Sequence, residues 1–95
     1  MTKIAERVHT DAAEIASIES RIVELNDGTL VELSLLDGRK LQGVVTVRPS
    51  VQTFRDAAGG EGVNALLRLE DLHEPGKTHH VWLDQVTDIF PLGSD

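Results

Sequence analysis

The chain has 95 residues and a formal net charge of −7 at pH 7, a length that suits one small domain, since domains commonly run to roughly 100–150 residues. It contains no cysteine, which excludes disulfide staples, thiolate metal sites and thiol chemistry and fits a reducing, cytoplasmic location. No apolar run approaches the roughly 20 residues a membrane span needs, and the N-terminus lacks the charged-then-apolar layout of a signal peptide, so a soluble protein with no membrane partner is expected. A domain this short buries a modest core, which a partner chain would enlarge.

The charge is unevenly placed. Residues 1–37 hold three bases against eight acids, residues 38–55 hold Arg39, Lys40, Arg48 and Arg55 against none, and residues 56–95 hold two bases against eight acids. An acidic chain repels nucleic acid at long range, so phosphate contacts would have to come from the middle segment.

In chain order, Ala12, Ile15, Ile18, Ile22 and Leu25 fall three and four apart, one stripe of an amphipathic helix over about 11–25. Asp11 stands at its N-cap with Glu14 at the capping-box position, and Gly28 lies just past its end. Ile4 and Val8 could extend the helix backwards, although His9-Thr10-Asp11 reads as a fresh start. A competing reading makes Ile22 to Leu25 a short strand and Asn26-Asp27-Gly28 a hairpin turn.

From Gly28 to Val47 the pattern changes to period two. Val31, Leu33 and Leu35 alternate with Glu32 and Ser34, Asp37-Gly38 supplies a two-residue turn, and Leu41, Val45 and Val47 share one face of the returning strand. Gly43 stands in line with them, where a glycine marks a bend or a close backbone approach. Pro49 then interrupts the strand, Val51 to Arg55 resumes an extended pattern, and Ala57 to Gly62, with three glycines, reads as a flexible loop. In the strand from Val63 to Leu72, Ala65, Leu67 and Leu69 lie to one side and Asn64, Arg68 and Glu70 to the other, with Leu66 breaking the alternation. Glu74-Pro75-Gly76-Lys77 is a turn. Val81 and Leu83 share one face of Thr78 to Asp84, His80 and Trp82 the other, and Val86 to Phe90 follows until Pro91 stops it. One helix followed by five short strands predicts a small, strongly bent antiparallel sheet or barrel, with Leu33 and Leu67 facing inward on adjoining strands.

Catalytic chemistry finds little support. No Ser or Thr sits in a strand-to-helix elbow, Gly59-Gly60-Glu61-Gly62 lacks the helix and Lys of a phosphate-cradling loop, and Glu70, Asp71, Asp84 and Asp88 show no shared cleft. His79 and His80, with His73 and Glu74 nearby, are not read as a metal site, because consecutive strand residues point to opposite faces. Arg39, Lys40, Arg48 and Arg55 could track a phosphate backbone or simply oppose acidic neighbours across a sheet. Trp82 could stack a base or serve as core or interface.

Helix, then VELSLLDGRKLQG, then VNALLRLEDL, then HHVWLDQVTDIFP resembles the Sm-like fold of Sm, LSm and Hfq proteins, in the SH3-like barrel class, and is similar to a small uncharacterised bacterial family with a variant Sm-like motif. Asp37 to Gly43 looks like the first-motif hairpin, Val63-Asn64 like the end of that motif, and Val81 to Pro91 like the paired fourth and fifth strands. The resemblance implies one Sm-like domain over 1–95, with the β-barrel at about 29–91 and an insertion at about 48–62. It implies a homo-oligomer assembled through Val86, Thr87, Asp88, Ile89 and Phe90, a role in RNA metabolism, and no enzyme activity, cofactor or metal.

Within that resemblance Asn64 is the one carry-over toward a base. Pro49 and Ser50 occupy the place of the family's acid, Trp82-Leu83-Asp84 replaces the aromatic-Lys-His run of Hfq, and Leu92 precedes Gly93 where an Arg-Gly pair is expected. The candidate nucleic-acid contacts are therefore Arg39, Lys40, Arg48, Arg55, Asn64 and Trp82, with weak RNA binding expected. The alternative is a protein-protein interaction scaffold that binds no RNA.

Overall fold

The computed structural model describes residues 3–5 and 7–94. A two-residue strand, β1 (Lys3–Ile4), precedes helix α1 (Ala12–Val23), so Ile4 does not extend the helix. The helix turns Ile18 and Ile22 inward, and Leu25, just past its end, is fully buried. No strand forms at Ile22 to Leu25. Asp11 occupies the N-cap with extended backbone but makes no side-chain cap. Glu14 is drawn away from the expected capping box to the ring of His9, 3.0 Å from Oε2 to Nδ1.

The strands that follow are β2 (Thr29–Leu35), β3 (Lys40–Val47), β4 (Gln52–Arg55), β5 (Glu61–Asn64), β6 (Leu66–Asp71) and β7 (Thr78–Trp82). A single 3-10 turn, Leu83–Gln85, leads into β8 (Val86–Ser94). Five of these form one antiparallel sheet in the order β7-β6-β3-β2-β8, and β1, β4 and β5 form a second sheet in the order β1-β4-β5. The five-stranded sheet is open, with β7 and β8 at its edges. The fold is mainly β with one helix, as the hydrophobic pattern predicts, and the core lies between α1 and the inner faces of the sheet.

Leu33 and Leu67 are both fully buried, but they do not lie on adjoining strands, because β3 runs between β2 and β6. The β2–β3 loop spans Leu36, Asp37 and Gly38 rather than two residues. The Leu35 N–H donates to the Arg39 carbonyl at 2.9 Å, and only Gly38 takes positive φ, the pattern of a three-residue hairpin loop closed by a left-handed glycine. Gly43 marks a close approach: a Cβ there would sit inside the contact radius of the Glu70 carbonyl oxygen and 2.8 Å from Leu69 Cγ.

Val47 departs from the expected face. The β3–β6 register slips between Val45↔Leu69 and Val47↔Arg68, so Thr46 is an extra residue, a bulge that reverses the facing of everything after it. Val45 is fully buried and Val47 is 60 % exposed.

The expected flexible loop is an ordered hairpin turn. Gln52 to Arg55 pair antiparallel with Glu61 to Asn64, and Asp56 Oδ1 accepts from the N–H groups of Ala58 (3.0 Å) and Gly60 (2.8 Å) between them. β1 adds in parallel to β4. The break in alternation at Leu66 coincides with the chain leaving one sheet for the other: β5 ends at Asn64, Ala65 belongs to neither strand, and β6 begins at Leu66.

Asp71 closes the turn between β6 and β7. Its Oδ2 accepts from His79 Nε2 and its Oδ1 from the N–H groups of His73 and Glu74, each at 2.8 Å. These bonds, the one from His79 foremost, lower its pKa from 3.8 to about 2. Because the unfolded carboxylate takes up a proton more readily, the stabilisation is whole above about pH 4 and is lost as pH falls toward 2.

Three outcomes follow for stability. Leu33→Asp or Leu67→Asp places an unpaired carboxylate in the core and is expected to abolish cooperative thermal unfolding; a variant that melts at the wild-type temperature would show that the residue is not core. Gly43→Ala forces β3 away from β6 and should cost about 1–3 kcal/mol in urea unfolding, whereas a neutral result would mean that the strands separate freely there. In urea midpoints followed from about pH 4 downward, Asp71→Asn should flatten the loss of stability relative to wild type; parallel curves would remove Asp71 from the account.

Candidate nucleic-acid interface

The six candidate contacts do not converge. Arg39 Nε donates to Asp37 Oδ2 at 2.7 Å within the β2–β3 loop, and Arg55 donates across the β4–β5 hairpin to Glu61 at 2.9 Å. Both pairs are exposed, so they add little stability, yet each places a carboxylate beside its guanidinium. Lys40 opens β3 and Arg48 follows its end, up to about 26 Å apart at the rise of an extended strand.

Asn64 is fully buried. Its Nδ2 donates to the Arg7 carbonyl at 3.0 Å and its Oδ1 accepts from the Ala65 N–H at 2.8 Å, so its amide ties the N-terminal arm to the start of β6 rather than facing outward. Trp82 is half-buried and meets Phe54 edge-on, with centroids 5.0 Å apart and planes at 86°. Of the expected interface strand, Val86 is buried in the chain's own core, Ile89 is half-buried, and Thr87, Asp88 and Phe90 are exposed. Thr87 Oγ1 donates to the Ser34 carbonyl at 3.1 Å.

The structure instead gathers a different set around Arg48. Val47, turned outward by the bulge, lies opposite Arg68, and Arg68 lies opposite His80. Leu66 and Trp82 form the next row. Arg48, Arg68, His80, Val47, Leu66 and Phe54 border a groove of about 280 Å³, and among the described residues no carboxylate lines it. Among the described residues neither guanidinium has an ion-pair partner within 4.0 Å. The carboxylate of Asp27 meets the backbone N–H of Arg48 and so fixes the chain where β3 ends. Arg68 and His80 were each legible as outward-facing from the alternation of Leu67, Leu69 and Val81; their pairing with each other and with Val47 was not, because it depends on register.

A second cavity, of about 390 Å³, lies between the β2–β3 loop and β7, bordered by Asp37, Arg39, Leu41, His79, Trp82 and Gln85. Its charges are mixed, as Arg39 enters it already paired with Asp37. The histidines are held apart by their bonds: His79 donates to Asp71 and His73 Nε2 donates to Gln42 Oε1, each at 2.8 Å. Among the described residues no three His, Asp or Glu side chains are placed to hold a metal ion, and no helix is long and apolar enough to cross a membrane.

Comparison with known proteins agrees with this architecture. The chain is similar to a crystal structure of XC5848 from Xanthomonas campestris, described as adopting a novel variant of the Sm-like motif, with a TM-score of 0.91 and 35 % sequence identity over 97 % of this chain and 99 % of that one. No functionally curated protein matches it significantly. The β2–β3 hairpin, the close approach at Gly43 and the strands flanking the Leu83–Gln85 turn are thus parts of a variant Sm-like fold. A family model described as a domain of unknown function, DUF3247, matches residues 2–92, and the chain belongs to that family.

Proposed function

We propose that this protein is a non-enzymatic Sm-like module that self-associates through the edges of its five-stranded sheet and binds single-stranded RNA weakly, in the cytoplasm. The observation that carries the reading is the open sheet. β7 and β8 each pair on one side only, and β8 adds exposed Phe90 and Leu92, 49 % and 46 % accessible. Unpaired backbone edges with apolar side chains are what a second strand covers, and joining the β8 edge of one copy to the β7 edge of the next is a head-to-tail contact that can close into a ring.

Weak RNA binding fits the electrostatics. The net charge is −7, Arg39 and Arg55 are locally neutralised, and Asn64 is buried. The same facts favour the alternative of a protein-binding scaffold without RNA, and RNA titration separates the two.

Light scattering at micromolar concentration should report an oligomer, and Phe90→Lys should shift it toward monomer without lowering the melting temperature of the subunit. A wild-type monomer would sink the assembly. Oligo-U and oligo-A should bind with dissociation constants in the range of about 10⁻⁴–10⁻⁶ M at physiological salt, weakening as salt rises. Tight, uridine-selective binding would show that the missing family residues matter less than argued, and no binding by an assembled oligomer would assign the protein to the scaffold class.

A further inference from the structure

We infer that the groove bordered by Arg48, Arg68 and His80 is a seat for one nucleoside phosphate unit, the phosphate held between the two guanidinium groups and the base lying over Val47 and Leu66. The inference deepens the RNA reading and rests on it only for the strand, since a free nucleotide offers the same chemistry.

Composition makes the groove unusual. The chain carries 16 acids and nine bases, yet this concavity is bordered by two arginines and a histidine and, among the described residues, by no carboxylate. Arg39 and Arg55 each have an acid at hydrogen-bond distance. Arg48 and Arg68 have none within ion-pair distance among the described residues, so their donors remain available to an oxyanion, and guanidinium groups meet phosphate oxygens in bidentate geometry.

The apolar part is equally specific. Val47 and Leu66 are 60 % and 40 % exposed on the outer face of the sheet, Phe54 closes the floor, and ring planes at His80 and the arginines can stack on a base. An inorganic anion would make no use of that floor, whereas a nucleotide has both an oxyanion and a flat apolar body. The volume of about 280 Å³ lies just under the range of roughly 300–1,000 Å³ for small-molecule sites, which suits a single unit. The position is rigid, because the Thr46 bulge, the Asp27 contact to the Arg48 N–H and the Val47–Arg68–His80 row are all set by backbone register.

Trp82, the one tryptophan of the chain, borders the second cavity and meets edge-on the Phe54 ring that borders the groove, and so reports on the groove through Phe54. Its emission should shift on titration with UMP or AMP, and inorganic phosphate should compete at higher concentration. Arg48→Glu and Arg68→Glu should each weaken UMP and AMP at least about tenfold, the scale of a charge-assisted hydrogen bond. Both should keep the wild-type melting temperature, and Arg39→Glu should leave binding unchanged. Nucleotides that bind while oligo-U and oligo-A do not would uphold the seat and end the strand reading. Oligonucleotides that bind equally to wild type and to the double Arg48→Glu, Arg68→Glu variant would end the seat and leave the strand reading intact. No response to UMP, AMP or phosphate at millimolar concentration would overturn the inference, as would a Glu-rich peptide displacing UMP at lower concentration than phosphate does.

Discussion

The close approach of β3 to β6 at Gly43 constrains the rest of the molecule. β3 is the middle strand of the five-stranded sheet, bonded to β2 on one side and β6 on the other, so any irregularity in it is passed to both flanks. A side chain at Gly43 would collide with the Glu70 backbone and the Leu69 side chain; its absence lets the two strands meet while Val45 and Leu69 both remain fully buried. Three residues later the bulge at Thr46 turns the strand over. The same strand therefore lines the core up to Val45 and lines the outer groove from Val47 onward, and the step between the two is one extra residue.

The second sheet depends on a different device, a set of buried polar contacts that pin the N-terminal arm. Asn64 bonds Arg7 and Ala65, and His9, only 6 % exposed, lies between Glu14 on α1 and Asp84 in the 3-10 turn, 3.0 and 2.9 Å away. His9 also exchanges two backbone hydrogen bonds with Val63, and Gly62 lets its backbone pass close against β5. Buried polar groups are tolerable only when all are satisfied, and among the described residues no buried side-chain nitrogen or oxygen lacks a partner. The cost of this arrangement to recognition is direct: the amide that a related fold would offer to a base is enclosed by the chain's own arm.

What could be read from the sequence was local. The helical stripe from Ala12 to Leu25, the alternation at Val31, Leu33 and Leu35, and the inward set Ala65, Leu67 and Leu69 each depend on a period within one element; the two strand sets and Ile18, Ile22 and Leu25 of the stripe are buried, whereas Ile15 is half-buried and Ala12, at the first turn, is exposed. The glycine in line with them at Gly43 was legible for the same reason. What could not be read was pairing at a distance. The parallel addition of β1 to β4 joins residues some fifty positions apart, and nothing in the local pattern of Lys3–Ile4 announces it. Within the expected insertion at 48–62, Val51 to Arg55 reads as extended, but the glycines of Ala57 to Gly62 mask the returning strand of a short hairpin closed by Asp56. Glu14 met the spacing of a capping box, yet a buried histidine competes for its carboxylate. The groove was missed for a related reason: Arg48 was singled out by local charge, but its companions Arg68 and His80 come from strands whose register, including a bulge, no single-strand period encodes.

Charge at two length scales then determines what such a groove can select. The chain as a whole is acidic, and the segments on either side of residues 38–55 hold eight acids each. Around a cellular Debye length of about 8 Å the field of a few nearby groups outweighs the net charge, so one phosphate between the Arg48 and Arg68 guanidinium groups, which have no ion-pair partner among the described residues, would be attracted even though the protein as a whole repels polyanions. Each further phosphate of a strand would lie beyond those two groups on a chain of net charge −7, so added length would contribute little attraction and some repulsion. That is the reverse of a basic nucleic-acid binder, in which affinity grows with every phosphate neutralised. A groove of this kind would discriminate by the unit it holds rather than by the length of the polymer, so the proposed weak strand binding and the proposed seat for one nucleotide are mutually consistent.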